Sequence, residues 1–351
     1  MPALHSKTMK TRKITFGLIL ILIFCVGICR GEFRVLFTSN HQTNNYEIYT
    51  MATNGSDITR ITTTAINEWA PAVSPNGIDI AFVSLSGATS SIYMTSVFGS
   101  LPVKLNNTND ALCVQFATTN TIYFLTGRRG WGLTDNIQLW KINTDGSGEE
   151  LVYTNNLTCW PMGPQDFSIN QENQNVYLSA FTNSSWPSVI QYGGVADTEI
   201  QGVLIYTNIV DRYAPELSPN TTKITFCADT VGGDHRLWAD DAVPGGSPAN
   251  QICDTYCGNP SWIDNNSIVF TRATNSTYGM STYIGDIWRV NFDGSELTKL
   301  TSLGSCAYPS AFYLIPEPVS IYYFSFIIYY LLTGNFFLKN EFFKNKFRTG
   351  R

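Results

Sequence analysis

The feature that most limits what this chain can fold into is a short β-rich run that returns six times through its middle. It reads Val35-Leu36-Phe37-Thr38, Ile80-Ala81-Phe82-Val83, Ile122-Tyr123-Phe124-Leu125, Val176-Tyr177-Leu178-Ser179, Ile224-Thr225-Phe226-Cys227 and Ile268-Val269-Phe270-Thr271. The first residues of these runs lie 45, 42, 54, 48 and 44 positions apart. A period of about 40–50 residues means one supersecondary unit repeated, each copy too small to bury its own apolar face. In the clearest unit the run is followed by Tyr46-Glu47-Ile48-Tyr49 and then by Ile58-Thr59-Arg60-Ile61-Thr62, with Asn54-Gly55-Ser56 between them. That joint returns as Asp145-Gly146-Ser147 and Asp293-Gly294-Ser295. Asn-Gly and Asp-Gly supply positive φ angles, so a type I′ hairpin between antiparallel strands is expected at each.

A proline-containing run precedes several of the β-runs: Glu68-Trp69-Ala70-Pro71, Tyr213-Ala214-Pro215, Asn259-Pro260-Ser261-Trp262 and Tyr308-Pro309-Ser310. Four short strands per unit, at a mean period near 47, is the arithmetic of propeller blades. The chain is therefore expected to be all-β over 32–315, a six-bladed β-propeller of four-stranded antiparallel blades. The first β-run reads as the second strand of a blade and Ala307–Tyr313 as a first strand, so the C-terminal strand would close the ring and remove its open edges.

The order Trp/Tyr-x-Pro, Ser-Pro-Asn-Gly, β-run and Asp-Gly-Ser hairpin resembles the β-propeller repeats of TolB and related periplasmic proteins. The resemblance implies an envelope protein built for recognition. The chain departs from it in three places. TolB's N-terminal α/β domain has no counterpart, Phe98-Gly99-Ser100 replaces Asp-Gly-Ser in the second unit, and the fourth unit shows no hairpin signature.

Both ends read as addresses. Lys7, Lys10, Arg12 and Lys13 lead into the uncharged run Ile14–Ile28, the order of a secretory signal peptide, here assigned to 1–31. At the other end Pro316-Glu317-Pro318 is followed by twenty uncharged residues, 319–338, and by Lys339, Lys344, Lys346, Arg348 and Arg351. Twenty apolar residues suffice for a transmembrane helix, and the basic cluster would remain cytoplasmic. This arrangement over 316–351 resembles the PEP-CTERM sorting signal. It implies transient processing by an exosortase and delivery to the bacterial cell surface or extracellular matrix.

Charge and composition narrow the chemistry. Leader and tail each hold five Lys or Arg, leaving 12 basic against 26 acidic residues between them, a net of −14. Nucleic acid is excluded as a partner, because phosphate binding needs clustered cations. Beyond the leader the histidines are His41 and His235, and no Gly-x-Ser-x-Gly elbow is present. No cofactor or metal is expected. Cys253 and Cys257 read more readily as disulfide partners than as half of a zinc site, since no second pair follows.

What remains is recognition on the channel face of the ring. Glu68, Trp69, Asp110, Trp160, Asp211, Arg212, Tyr213, Tyr256 and Tyr308 map to loops leading into innermost strands, and Arg128, Arg129, Trp131, Trp186 and His235 to outer loops. Aromatics and Arg are the types enriched at binding hot spots. The expected function is non-catalytic binding of an envelope protein or exopolysaccharide through that face. The alternative is a carbohydrate-active enzyme, a lyase or glycoside hydrolase, using Glu68 with Asp110 or Asp211; inversion would need the two carboxyls about 6.5–9.5 Å apart. Cys113 with Cys159, and Cys257 with Cys306, are the expected disulfides, with Cys253 to Cys257 as the competing pair.

Overall fold

The computed structural model describes residues 31–314 apart from 88, 109, 128–135, 159–166, 171–174, 182–187, 195–201, 205–211, 230–234, 243–248, 255 and 274–283. Glu32–Leu314 form one compact unit. Residues 1–30 of the expected signal peptide (1–31) and the expected sorting segment, with Pro316, Glu317 and Pro318, lie outside the described residues.

The described residues form six four-stranded antiparallel sheets. Sheet I begins with β1 (Glu32–Ser39), β2 (Glu47–Ala52) and β3 (Thr59–Arg60). Sheet II holds β4 (Asn67–Val73), β5 (Asp79–Ser86), β6 (Thr89–Ser96) and β7 (Val103–Lys104), and sheet III β8 (Ala111–Phe116), β9 (Thr121–Thr126), β10 (Asn136–Asn143) and β11 (Glu150–Thr158). Sheet IV holds β12 (Phe167–Ile169), β13 (Asn175–Phe181), β14 (Ser188–Gly194) and β15 (Gly202–Leu204). Sheet V holds β16 (Arg212–Leu217), β17 (Lys223–Asp229), β18 (His235–Asp241) and β19 (Asn250–Cys253). Sheet VI holds β20 (Cys257–Trp262), β21 (Ser267–Arg272), β22 (Asp286–Asn291) and β23 (Thr298–Lys299). The last strand, β24 (Cys306–Leu314), returns to sheet I and pairs with β1 from Glu32 opposite Leu314 to Ser39 opposite Cys306. Each sheet packs on the next, and the sixth on the first through β24. The fold is an all-β propeller.

Each β-run falls in the second strand of a sheet, which has a neighbouring strand on both sides and a neighbouring sheet on both faces. Such a strand must be apolar on both faces, hence continuous runs in place of strict alternation. The third residue of each run shows the effect: Phe37, Phe82, Phe124, Phe226 and Phe270 are fully buried, and Leu178 takes the place in sheet IV. Truncating one of these phenylalanines to Ala would cost about 3–5 kcal/mol.

The hairpins differ from the expected type I′. Only the glycine has positive φ at each tip, 84° at Gly55, 83° at Gly146 and 81° at Gly294. The Gly55 N–H donates to the Ala52 carbonyl at 2.9 Å, and the Ala52 N–H to the Ser56 carbonyl at 2.9 Å. This is a type I turn followed by a left-handed glycine, the three-residue hairpin. Its cause is the preceding side chain. Asp145 and Asp293 each accept hydrogen bonds from the N–H and hydroxyl of the following Ser at 2.9 and 2.6 Å, and Asn54 does the same for Ser56.

The glycines also key one sheet to the previous one. A Cβ on Gly55 would sit 2.3 Å from the Leu300 carbonyl oxygen of sheet VI. The tip glycines Gly99, Gly146 and Gly294 face the carbonyls of Ile61, Leu105 and Ile252 at 3.6, 3.4 and 3.6 Å. Every one of these contacts runs from a sheet to its predecessor in the ring.

The proline runs lie within the innermost strands. Ala70, Ala214, Asn259 and Tyr308, each just before a proline, have φ of 51°, 50°, 51° and 52°, and the ladder shifts register there. Proline disfavours the right-handed helical region for the residue before it and brings no N–H of its own, so the bulge strands no donor. Glu68, Trp69 and Tyr308 are consequently strand residues, where loop positions were expected.

The expected clasp of Cys257 with Cys306 is absent. Cys257 packs with Ala214, Leu237 and Cys227 at the seam of sheets V and VI, whereas Cys306 packs with Val35, Tyr49 and Ile287 at the seam of sheets VI and I. The two sulfurs face different seams. Cys159 lies outside the described residues.

Candidate functional site

In each antiparallel sheet the start of the innermost strand and the end of the second strand lie at the same end of the ladder. At three seams a recurring hydrogen bond sets the height of the incoming chain. Just past the outer strand, Thr62 Oγ1 accepts from the Ile48 N–H at 2.9 Å, Asn106 Oδ1 from Ile92 at 2.7 Å and Thr301 Oγ1 from Ile287 at 2.9 Å. All three reach-back side chains are buried, so each satisfies a backbone donor that water cannot reach.

The most distinctive chemistry sits between sheets I and II. Glu47 opens β2 and Glu68 is the second residue of β4, and both are fully buried. Glu47 Oε1 accepts from Arg60 Nη2 and from Asn45 Nδ2, each at 2.9 Å. The same Asn45 amide nitrogen lies 3.2 Å from the Thr64 carbonyl and 2.9 Å from that of Ile66. Glu68 Oε1 accepts from Thr64 Oγ1 at 2.8 Å. The second oxygen of each carboxyl, Oε2, is buried with no hydrogen-bond partner. Burial pushes the Glu68 carboxyl up to about 7; hydrogen bonds from Thr62 and Thr64 oppose the rise, Glu47 adds to it and Arg60 opposes it. Glu68 therefore holds a proton over much of the range below neutrality.

A second raised carboxyl stands in β16. Burial pushes Glu216 up to about 8 against a hydrogen bond from Ser168, and its Oε2 is likewise buried without a partner. The Glu216 backbone carbonyl accepts from Trp262 Nε1 at 3.0 Å, tying sheet V to sheet VI.

Half-buried rings and amides neighbour the first pair along the chain. Tyr46 and Trp69 lie 6.4 Å apart, and Trp69 also packs on the apolar cluster shared by sheets II and III. The Tyr46 N–H donates to Asn67 Oδ1 at 2.9 Å, and the Glu68 N–H to the Tyr46 carbonyl at 2.9 Å. His41 packs 4.5 Å from Tyr49 with Nδ1 3.1 Å from Ser39 Oγ, and burial lowers its pKa.

Of the residues expected on this face, Asp110 and Tyr256 are each the last before an innermost strand. Both are half-buried and left-handed, with φ of 64° and 45°. Their carbonyls accept from Gly127 and Ala273 at 3.1 and 3.0 Å, one device used in two seams. Tyr308 is 1% exposed. Arg212 and Tyr213 open β16. Arg128, Arg129, Trp131, Trp160, Trp186 and Asp211 lie outside the described residues. Among the described residues the carboxyl neighbour of Glu68 is Glu47, not Asp110.

Glu47, Asn45 and Glu216 were missed from sequence. A signal for Glu47 existed: Glu47-Ile48-Tyr49 and Asp286-Ile287-Trp288 share an acid-Ile-aromatic pattern, answered by Arg60-Ile61-Thr62 and Lys299-Leu300-Thr301. Among the described residues no three His, Cys, Asp or Glu side chains gather as a metal ion would need. No described helix is long and apolar enough to cross a membrane, and 319–338 lies outside the described residues.

Comparison with solved structures places this architecture. TolB from Acinetobacter baumannii matches with a TM-score of 0.65 at 13% identity, over 79% of this chain and 66% of that one. The likeness is one of fold. A putative TolB from Agrobacterium tumefaciens matches with a TM-score of 0.57 at 13% identity, over 81% and 98% of the two chains. A nidogen/laminin complex contains a chain matched with a TM-score of 0.61 at 12% identity, over 80% and 98%. No protein-family model matches the sequence, and no curated protein does. The chain thus has a TolB-like β-propeller fold and spans about two thirds of the Acinetobacter TolB.

Proposed function

We propose that this chain is an exported, six-bladed propeller that binds a protein or polysaccharide of the cell envelope through its channel face, without catalysing a reaction on it. The observation that carries the reading is the burial of Glu47 and Glu68, both 0% exposed, with Tyr46, Asn67 and Trp69 as their half-buried chain neighbours. A raised carboxyl beside a second carboxyl is the pairing a glycosidase uses, but general acid catalysis needs the acid within hydrogen-bond reach of the bond it protonates. Here the half-buried groups of the face are rings and amides, suited to contact with a partner. The matched chain in a nidogen/laminin complex supports a recognition role for a propeller of this length.

Export rests on the leader pattern, and surface sorting on Pro316-Glu317-Pro318 with the apolar segment 319–338. In this reading the chain is held in the membrane by its tail until an exosortase removes it. Replacing Glu317 by Ala would then leave a longer, membrane-held form in a host that carries the enzyme; unchanged processing would reduce the tail to an anchor.

The binding reading is tested with the tail-processed chain on a glycan array and against envelope extract. Captured partners should be lost in Trp69→Ala and Tyr256→Ala variants that keep the wild-type melting temperature. Turnover of an envelope polysaccharide that disappears in Glu68→Gln would overturn it in favour of an enzyme.

A further inference from the structure

We propose that Cys253 and Cys257 form a disulfide across the seam of sheets V and VI, fixing the three-residue loop that presents Tyr256 on the channel face. The repeat geometry points to the pair. In sheets I, II and VI the residue after the one facing the next tip glycine is Thr62, Asn106 or Thr301, the side chain that reaches back to the third strand. In sheet V the residue facing Gly294 is Ile252, so Cys253 occupies the reach-back position, opposite Leu237 in the ladder. At two other seams this side chain meets the start of the next innermost strand. Thr62 bonds to Glu68, and the Thr301 hydroxyl lies 3.6 Å from Cys306 Sγ. By the same placement Cys253 meets Cys257, the first residue of β20, and the two side chains, thiols in this structure, are buried in one apolar cluster at the seam. The intervening loop is the shortest of the three, with Tyr256 left-handed and Asp254 held to Arg272 at 3.0 Å.

Cys227 completes the surroundings without competing equally. It lies opposite Leu237, which lies opposite Cys253, so the two cysteines share a row but are separated by a strand. Neighbouring strands are about 4.8 Å apart, which places Cys227 and Cys253 beyond the span of a disulfide.

The bond forms by thiol–disulfide exchange with an organic disulfide or an oxidised dithiol protein. One cysteine thiolate attacks a sulfur of the oxidant, making a mixed disulfide and expelling a thiolate. The second cysteine, as thiolate, then attacks the first, closing the bridge and expelling the other thiolate; two thiols are oxidised, one disulfide is reduced, and two protons pass to the departing thiolates. Cys253 is 5% and Cys257 0% exposed, so exchange belongs to the folding chain, before the seam closes. The pairing rests on geometry alone; its formation in the cell rests on the export proposed above.

The test is refolding of the reduced, full-length chain in mild detergent with oxidised and reduced glutathione, followed by alkylation and peptide mapping. The peptide that carries Cys253 and Cys257 should be unalkylated and two hydrogen atoms lighter, with Cys113, Cys227 and Cys306 alkylated. A Cys227→Ser variant should keep the bridge. Hydrogen exchange at residues 254–256 should slow by about tenfold in the oxidised chain, as expected when local opening is suppressed. Alkylated Cys253 and Cys257 after refolding, a bridge from Cys227 to either, or unchanged exchange in that loop would overturn the proposal. None of these outcomes depends on whether the ring binds a partner.

Discussion

Glu47 of sheet I and Asp286 of sheet VI occupy one place in the repeat, yet their surroundings treat a carboxylate in opposite ways. Each opens the third strand of its sheet and pairs with the outer-strand cation, Arg60 or Lys299, at 2.9 Å. Asp286 then receives Thr301 Oγ1 at 3.0 Å and the N–H groups of Leu303 and Gly304 at 2.8 and 3.0 Å. Burial pushes Asp286 up, but the N–H groups of Gly304 and Leu303, with Lys299 and Thr301, outweigh it and hold the carboxyl below its ordinary range. In sheet I the following loop offers Glu47 no such N–H pair. A second carboxyl, Glu68, enters instead, and each Glu keeps one oxygen without a partner. One seat is built to stabilise charge, and the other carries an uncompensated polar group, which is where a function is more readily placed than a structural role.

The strongest way to break that contrast is an amide replacement in both seats. Asp286→Asn should destabilise the ring by about 2–4 kcal/mol, since an amide offers one acceptor oxygen where the backbone donors and Lys299 need a carboxylate. Glu68→Gln should have the opposite sign above neutrality and stabilise by about 1–3 kcal/mol. Chemical denaturation at pH 8 measures both; two losses of equal size would mean the seats are alike.

The pH dependence sharpens it further. Glu68 is raised from 4.5 to about 7, so the folded state binds the extra proton between those values. Stability contributed by Glu68 is therefore full below about pH 4.5, falls as pH rises through 7 and is flat above. Glu216 adds a similar fall that begins near 4.5 and ends as pH rises through about 8. Asp286 works the other way, its contribution present at neutral pH and lost in acid below its ordinary range. Wild-type stability should decline from pH 5 to 8, and Glu68→Gln should make that decline shallower below about pH 7 while leaving the part contributed by Glu216; a flat wild-type profile would dissolve the difference between the seats.

Smaller effects belong to the reach-back side chains. Thr62→Val and Thr301→Val each leave a buried N–H unpaired, costing about 1–2 kcal/mol. The Thr301 variant should lose more, because it also removes a donor to Asp286. Smallest of all, Asp293→Asn at an exposed hairpin tip should leave the melting temperature unchanged, since Asn54 makes the same bonds to Ser56 in sheet I.

Much of this ring was legible from its apolar runs, because a strand enclosed on both faces has no choice but to be apolar throughout. The sheets follow from Phe37, Phe82 and their equivalents. The turn type at Asp145 was misjudged because the dipeptide Asp-Gly is shared by two hairpin geometries; what separates them is the Asp145 bond to Ser147, one residue beyond the dipeptide. Glu68 was singled out from the sequence but placed in a loop, since a proline three residues later normally ends a strand. A left-handed Ala70 lets the strand continue through it. Glu47 was passed over because an acid in a β-strand reads as a solvated face. Only its partners in three dimensions, Arg60, Asn45 and Glu68, mark it as buried.

The pairing of Glu32 with Leu314 has a mechanical meaning. The two strands that close the ring run antiparallel with these residues at the same end of their ladder. Tension drawn between Glu32 and Leu314 therefore opens the closure one rung at a time, as a zip is opened, and meets little resistance. A pull on Leu314 along the strand, opposed by a hold elsewhere on the ring, loads many rungs together in shear. The ring is thus a fastener with a direction, weak when both strand ends are drawn apart and strong when hung by one of them.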